Sequence, residues 1–168
     1  MAPEVGLVDQ TRERMLLAGI GIVGLAICIG IAVAGSAEIS VWQSALIAAV
    51  FGGALYAVDR HQMLKVLVTT ERSSGTFRLE PTSRTCVRIL AIGVLASIPG
   101  IVLSGVDGDG VSGIAGIYGA VAIWACLDVR LLQRWERAHE ARVLRRPRWM
   151  LSWTAEPPLV VDADTGPV

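Results

Sequence analysis

Ionisable side chains are almost missing from the long apolar stretches of this 168-residue chain. Four stretches, 15–34, 41–58, 86–104 and 111–127, contain no Asp, Glu, Lys or His. Charges held at hydrocarbon depth are the usual mark of ion or proton transport, because each is costly to keep in lipid. Their absence argues against a proton-coupled antiporter.

Cysteine and histidine are also scarce. The three cysteines form no CxxC pair, and both histidines, His61 and His139, lie outside the apolar stretches. A haem held within a helical bundle would need histidines inside it, and a zinc site would need more ligands than these residues provide. We therefore expect no metal and no cofactor. The cysteines are interpreted as small apolar residues.

The composition favours a membrane protein. Hydrophobic residues make up 53% of the chain, charged residues 18%, and the mean hydropathy is +0.57. A soluble domain of this size needs more polar surface. Each of the four apolar stretches has the length that crosses a bilayer as a helix. The sequence predicts an all-α integral membrane protein with four transmembrane helices arranged as two hairpins.

The basic residues predict the orientation. All fifteen lie in the N-terminal tail, in 59–88, or after residue 127, and the connectors GSAEIS and GVDGDG contain none. By the positive-inside rule, both termini and the loop 59–85 are cytoplasmic. Arginine outnumbers lysine fourteen to one beside much Ala, Gly and Val, which suggests a GC-rich bacterial genome and a bacterial plasma membrane.

Each span carries small residues at four-residue spacing. In lipid, helices associate where small residues let their backbones approach closely. The rows predict a compact four-helix bundle or contacts between copies of the chain, although Ala and Gly are abundant enough for some rows to arise by chance. The candidate packing residues are Ala26, Gly30, Ala49, Gly53, Ala96, Gly100, Gly116 and Ala120.

The segments outside the spans divide into a tail, 1–14, the loop 59–85, a basic segment, 128–153, and an acidic segment, 154–168. The spacing of His61, Leu64 and Val68 favours continuation of the second helix into the loop, with a hairpin as the alternative. The basic segment is predicted as a juxtamembrane helix followed by a Trp-rich stretch, and the acidic segment as a flexible tail.

Arginines of the basic segment begin at headgroup depth, where anionic lipid attracts each by about 1 kcal/mol. We expect them to meet anionic headgroups or a protein partner. A nucleic-acid partner is not expected, because no base-reading or stacking platform is present. The candidate lipid-facing or partner-facing residues are Arg130, Arg134, Arg137, Arg145, Arg146, Arg148, Trp149 and Trp153.

No familiar catalytic constellation is found in the sequence. The expected function is therefore that of a non-catalytic accessory, assembly or scaffolding subunit. A small oligomeric transporter or holin-like pore is the alternative, favoured by a weak internal repeat and a proline, Pro99, in the third span. An enzyme is the third hypothesis, with an atypical site among Asp59, Arg60, His61, Asp128, Arg130 and Arg134.

Overall fold

A computed structural model describes residues 7–34, 40–69, 79–104, 108–145 and 159–162. The described chain is mostly helical, which confirms the predicted helical class. Its four helices are α1 (Gln10–Val33), α2 (Val41–Thr69), α3 (Thr82–Ser104) and α4 (Gly108–His139). The continuation of α2 to Thr69 agrees with the apolar spacing in the first part of the loop.

Local hydrogen bonds explain where the helices begin. The Asp9 carboxylate accepts from the Arg12 backbone N–H at 3.0 Å and caps α1. At α2 the Ser40 hydroxyl accepts from the Gln43 N–H at 3.3 Å. Both contacts satisfy amides that have no partner within the first turn of a helix. At α3, Pro81 stands just before the first helical residue, where its missing N–H costs nothing.

A small antiparallel sheet joins distant parts of the chain. Its strands are β1 (Val8–Asp9), β2 (Ala141–Arg145) and β3 (Leu159–Asp162), in the order β1-β2-β3. The register places Val143 opposite Val160.

The sheet corrects two predictions. The helix predicted within 128–153 stops at His139, where Glu140 adopts a left-handed φ of 49°, and β2 follows. The segment 154–168, predicted as a flexible tail, contains β3. Its remaining residues lie outside the described ones. Both strands are rich in aliphatic residues that become buried only when the two segments pair.

Three of the helices are long and apolar enough to cross a membrane by length and composition, over Gln10–Val33, Val41–Lys65 and Val111–His139. The predicted third span lies on α3, where most side chains from residue 95 onward fall outside the described residues. With 32 residues, α4 is about 48 Å long, against about 30 Å of bilayer core. Its charge-free part, 111–127, ends at Asp128, and the helical turns that follow carry charged residues.

The described helices form an open layer centred on α4. Both α1 and α2 pack along α4, and α3 contacts α1 and α4 more lightly. This arrangement leaves large apolar side chains exposed on the outer faces of α1 and α2, including Ile27, Val33, Trp42, Leu46, Val50 and Phe51.

Beyond the apolar part, the sheet packs on the extensions of α2 and α4. One apolar core joins these helices to one face of the sheet and contains Met63, Leu67, Leu132, Ala141, Val143 and Val160. A second core on the other face contains Leu7, Leu144 and Val161, with Leu79 and Leu159 against it. The hydrophobic effect that drives such burial requires water, so this module is suited to the aqueous side.

Candidate functional site

Charged side chains from all four helices and the sheet gather at one end of the molecule, where α1 and α3 begin and where α2 and α4 leave their apolar parts. We name this group the acid–arginine cluster. Its members are Glu13, Arg14, Asp59, Glu80, Arg88, Asp128 and Arg145.

Arg14 connects α1 to α2 and α4. Its Nη2 lies 2.5 Å from Asp59 Oδ2, and its Nε lies 3.3 Å from Asp128 Oδ2. The guanidinium carbon lies 4.2 Å from the centroid of the Trp124 ring, within cation–π range. Arg14 is 5% exposed and Asp128 is fully buried. A single guanidinium therefore stands between two carboxyl groups on different helices.

The neighbouring residue, Glu13, connects α1 to α3 and β2. Glu13 Oε1 lies 3.5 Å from Arg88 Nη2, and Glu13 Oε2 lies 2.7 Å from Arg145 Nη2. Arg88 also donates to Glu80 Oε2 at 3.0 Å, and that oxygen accepts from the Thr85 hydroxyl at 3.0 Å. Two consecutive residues of α1 thus reach every other helix and the sheet.

Buried ion pairs of this kind define geometry more than they add net stability. Desolvation of the charges offsets much of their attraction, whereas removal of one partner leaves a buried charge at a cost of about 3–5 kcal/mol. The acid–arginine cluster can therefore fix how the helices meet at this end.

Glu136 links the sheet to the helices just beyond the cluster. Its Oε2 accepts from the Thr11 hydroxyl at 2.9 Å, and its Oε1 accepts from the Val143 backbone N–H at 3.1 Å. Burial raises the pKa of the Glu136 carboxyl above its ordinary value, while the two donated hydrogen bonds act in the opposite direction. The side chain joins α1, α4 and β2.

Among the described residues, some buried polar atoms in and beside the cluster have no hydrogen-bond partner. They include both carboxylate oxygens of Asp128, Arg14 Nε and Trp124 Nε1. Burial and the nearby Asp59 carboxyl group raise the pKa of Asp128 to about 7, although the nearby Arg14 charge lowers it. Asp128 is the first residue after the charge-free part of α4.

The predicted arginines have two different environments. Arg130, Arg134 and Arg137 are exposed along the extension of α4 at spacings of four and three residues; we name them the arginine stripe. Arg145, predicted with them to face lipid or a partner, does not join the stripe, because the helix ends before it and Glu13 binds it. Arg146, Arg148, Trp149 and Trp153 lie outside the described residues.

The predicted packing residues are also divided. A Cβ built at Gly116 would lie 2.7 Å from the Ile47 Cβ, and one built at Gly52 would lie 3.2 Å from the Ala120 Cα, so Gly116 and Ala120 lie in the α2–α4 contact. The predicted small residues of α1 and α2, on the other hand, lie on exposed faces: Ala26, Gly30, Ala49 and Gly53. The side chains of α3 from residue 95 to 104, Ala96 and Gly100 included, lie outside the described ones.

The contact faces of α1 and α2 lie one or two positions away from the predicted rows. On α1 they include Gly21, where a built Cβ would lie 2.8 Å from the Ala122 backbone nitrogen, and Gly24, which meets the Tyr118 ring. Several four-residue rows coexist in such Gly-rich and Ala-rich helices. Spacing alone therefore does not identify the row that faces a neighbour.

Asp59 and Asp128, which the sequence placed in an atypical enzyme site, are brought together around Arg14. The other proposed members, Arg60, His61, Arg130 and Arg134, are exposed. Sequence reasoning missed Glu13 and Arg14. A usable signal was present, since these residues immediately precede the first apolar stretch, whereas Asp59 and Asp128 immediately follow the second and fourth.

In the part of the chain that the structure describes, no group of three or more His, Cys, Asp or Glu side chains is placed to hold a metal ion. Comparison of the chain with protein-family models, curated proteins and solved structures finds no match.

Proposed function

We propose that this chain is a non-catalytic membrane protein with four transmembrane helices, and that it acts as an accessory, assembly or scaffolding subunit. Both termini and the loop 59–85 would lie in the cytoplasm of a bacterium, beneath its plasma membrane. The distribution of basic residues supports this orientation. The acid–arginine cluster, the arginine stripe and the sheet would then share the cytoplasmic side.

The observation that carries the proposal is the outer face of α2. Only 11% of an 18-residue apolar stretch of this helix is buried within the chain. Trp42, Leu46 and Phe51 are 88%, 65% and 60% exposed. By contrast, the charged groups at the other end mostly bind one another. The outer face of α2 is therefore a large apolar surface, and in the proposed orientation it lies at membrane depth, which suits lipid or a neighbouring membrane protein.

The arginine stripe supports a second contact, with anionic headgroups. Its three guanidinium groups are exposed and begin one turn beyond the apolar part of α4. Each cation near an anionic surface contributes about 1 kcal/mol. Together with the α2 face, the stripe would set the depth and rotation of the subunit in the bilayer.

The alternative function, a small oligomeric transporter or holin-like pore, is supported by the exposed small residues. Among the residues that the structure describes, a Cβ built at Gly30 or Gly53 meets nothing within 4 Å outside the nearby backbone of its own helix. Open small-residue faces suit contact with a second copy of the chain. Such a pore would be formed by several copies of the chain.

Photo-crosslinking from α2 tests the proposal. A photoreactive residue at Phe51 should capture a membrane partner in intact cells, whereas the same residue at the buried Ala48 should react within the chain. The purified protein should leave dye-loaded proteoliposomes tight. If the residue at position 51 crosslinks only to other copies of the chain and the proteoliposomes release dye, the pore function is supported and the scaffold function is rejected.

A further inference from the structure

The acid–arginine cluster has two halves. In one half the number of carboxyl groups equals the number of guanidinium groups, and in the other it does not. Glu13 and Glu80 face two guanidinium groups, those of Arg88 and Arg145. Asp59 and Asp128, however, share only Arg14. The half that joins α1, α2 and α4 therefore has one carboxyl group more than it has cations.

The surroundings of Asp128 provide little support for a negative charge. The residue has no exposed surface, and neither of its carboxylate oxygens accepts a hydrogen bond. Arg14 approaches it with Nε at 3.3 Å, but its Nη2 is already bound to Asp59. Burial of an ionised carboxylate without hydrogen bonds is strongly unfavourable, and two adjacent carboxyl groups resist simultaneous ionisation.

We propose that Asp59 and Asp128 together bind one proton, and that this shared proton holds α2 and α4 together against Arg14. The proton comes from bulk water, since the Asp59 side chain is 28% exposed. It occupies one carboxyl group and is donated to the other, so the site carries one negative charge opposite one guanidinium.

No other charged group of the cluster is free to replace the proton. From α3, Arg88 binds Glu13 and Glu80, and from β2, Arg145 binds Glu13. On α4 itself, the side chain that contacts Arg14 beside Asp128 is Trp124, which carries no charge. Loss of the proton places two negative charges against Arg14, and their repulsion loosens α2 from α4.

The shared proton makes the contact between α2 and α4 sensitive to pH on the side of the membrane where the cluster lies. The apolar core shared by Met63, Leu132 and the sheet lies on the same helix extensions. Separation of α2 from α4 at this site would therefore disturb the packing of the sheet on the helix extensions. The protonation state of Asp59 and Asp128 would in this way affect the structure of the sheet and these extensions.

Thermal unfolding in detergent tests the proton. The folded site binds the proton more tightly than the unfolded chain does, so stability declines as pH rises from the ordinary aspartate pKa of 3.8 towards about 7. Between about pH 5 and about pH 8, the Tm of the native chain should fall by roughly 5 °C relative to Asp128→Asn. The control Glu140→Gln, at an exposed position, should follow the native chain. If Asp128→Asn keeps the native pH dependence, the proposal is overturned.

Infrared spectroscopy of the native chain with isotope-labelled aspartate gives a measurement that does not depend on the variant folding. A protonated aspartate C=O band should be present near pH 6 and disappear as the pH is raised above about 7. Absence of a titrating band would sink the proposal. Replacement of sodium by choline should change neither measurement; recovery of high-pH stability by sodium alone would assign the site to a metal cation instead.

Discussion

The two halves of α4 are packed by different physical means. In its apolar half, Gly116, Gly119 and Ala120 lie so close to α2 that little space remains for a larger side chain. In its charged half, the fully buried Leu132 fills a core, and Asp128 meets the guanidinium of Arg14. The apolar half of this helix is thus packed by close backbone approach, which is effective in lipid. Its charged half is packed by apolar burial and ion pairs, and the hydrophobic effect behind that burial requires water.

The halves also differ in what they leave exposed. Beside the apolar half of α4, the neighbouring α2 keeps large side chains such as Val50 and Phe51 exposed, whereas the charged half of α4 buries aliphatic residues against the sheet and the extension of α2. A neighbouring molecule or lipid can complete the first half without rearranging the chain. The second half is already joined internally. The proposed partner contact is therefore placed at membrane depth.

The largest effect is expected when the single cation between the aspartates is removed. Arg14→Met should lower the free energy of unfolding by about 3–5 kcal/mol, because the fully buried Asp128 and the partly exposed Asp59 lose their charge partner. Arg137→Met, at an exposed position of α4, should stay within about 0.5 kcal/mol of the native chain. Chemical unfolding in detergent measures both, and equal destabilisation would show that the cluster is not what holds the charged half.

A smaller loss is expected when the sheet is detached from α4. Glu136→Ala removes the acceptor for the Thr11 hydroxyl and for the Val143 N–H, at a cost of about 1–3 kcal/mol for each donor that stays buried. Amide hydrogen exchange should increase across β2 and β3 while the apolar parts of the helices remain protected. Glu140→Ala is the control. Uniformly faster exchange throughout the chain would argue that the two halves unfold as one.

The apolar half can be disturbed without touching the charges. Gly116→Leu should cost about 1–3 kcal/mol by forcing α2 away from α4. The same change at Gly53, where nothing lies within 4 Å, should cost little in a single chain. Denaturation of both variants in detergent measures the difference. Sensitivity at Gly53 instead, with a change in oligomeric state, would assign the small-residue face of α2 to contact between copies.

The arginine stripe should matter least for stability. Replacement of Arg130, Arg134 and Arg137 by Gln should leave the unfolding free energy within about 0.5 kcal/mol. Retention of anionic lipid, measured by native mass spectrometry, should weaken by about 1 kcal/mol for each arginine removed. The triple Lys variant, which keeps the charges, should retain the lipid. Equal loss in the Gln and Lys variants would point to a specific protein partner instead.

Much of the helical layout could be predicted from the sequence. Runs of about twenty apolar residues locate the helices, and the helical spacing after residue 58 predicts the continuation of α2. Two features could not be predicted. The first is strand β3, which lies in a proline-containing acidic segment and whose Val160 and Val161 become buried by pairing with β2. The second is which row of small residues faces a neighbouring helix, because the exposed row at Ala26 and Gly30 has the same spacing as the rows that are in contact.

The sequence by itself determined where apolar helices occur and on which side of them the basic residues fall, because hydropathy and charge are local properties that accumulate along a segment. Only the tertiary structure decided which charges meet. Glu13 and Arg14 are adjacent in sequence yet bind different helices, and Asp59 and Asp128 lie 69 positions apart yet share one guanidinium. Ion pairing depends on distance in space and on exclusion of water, and both arise only when the helices come together.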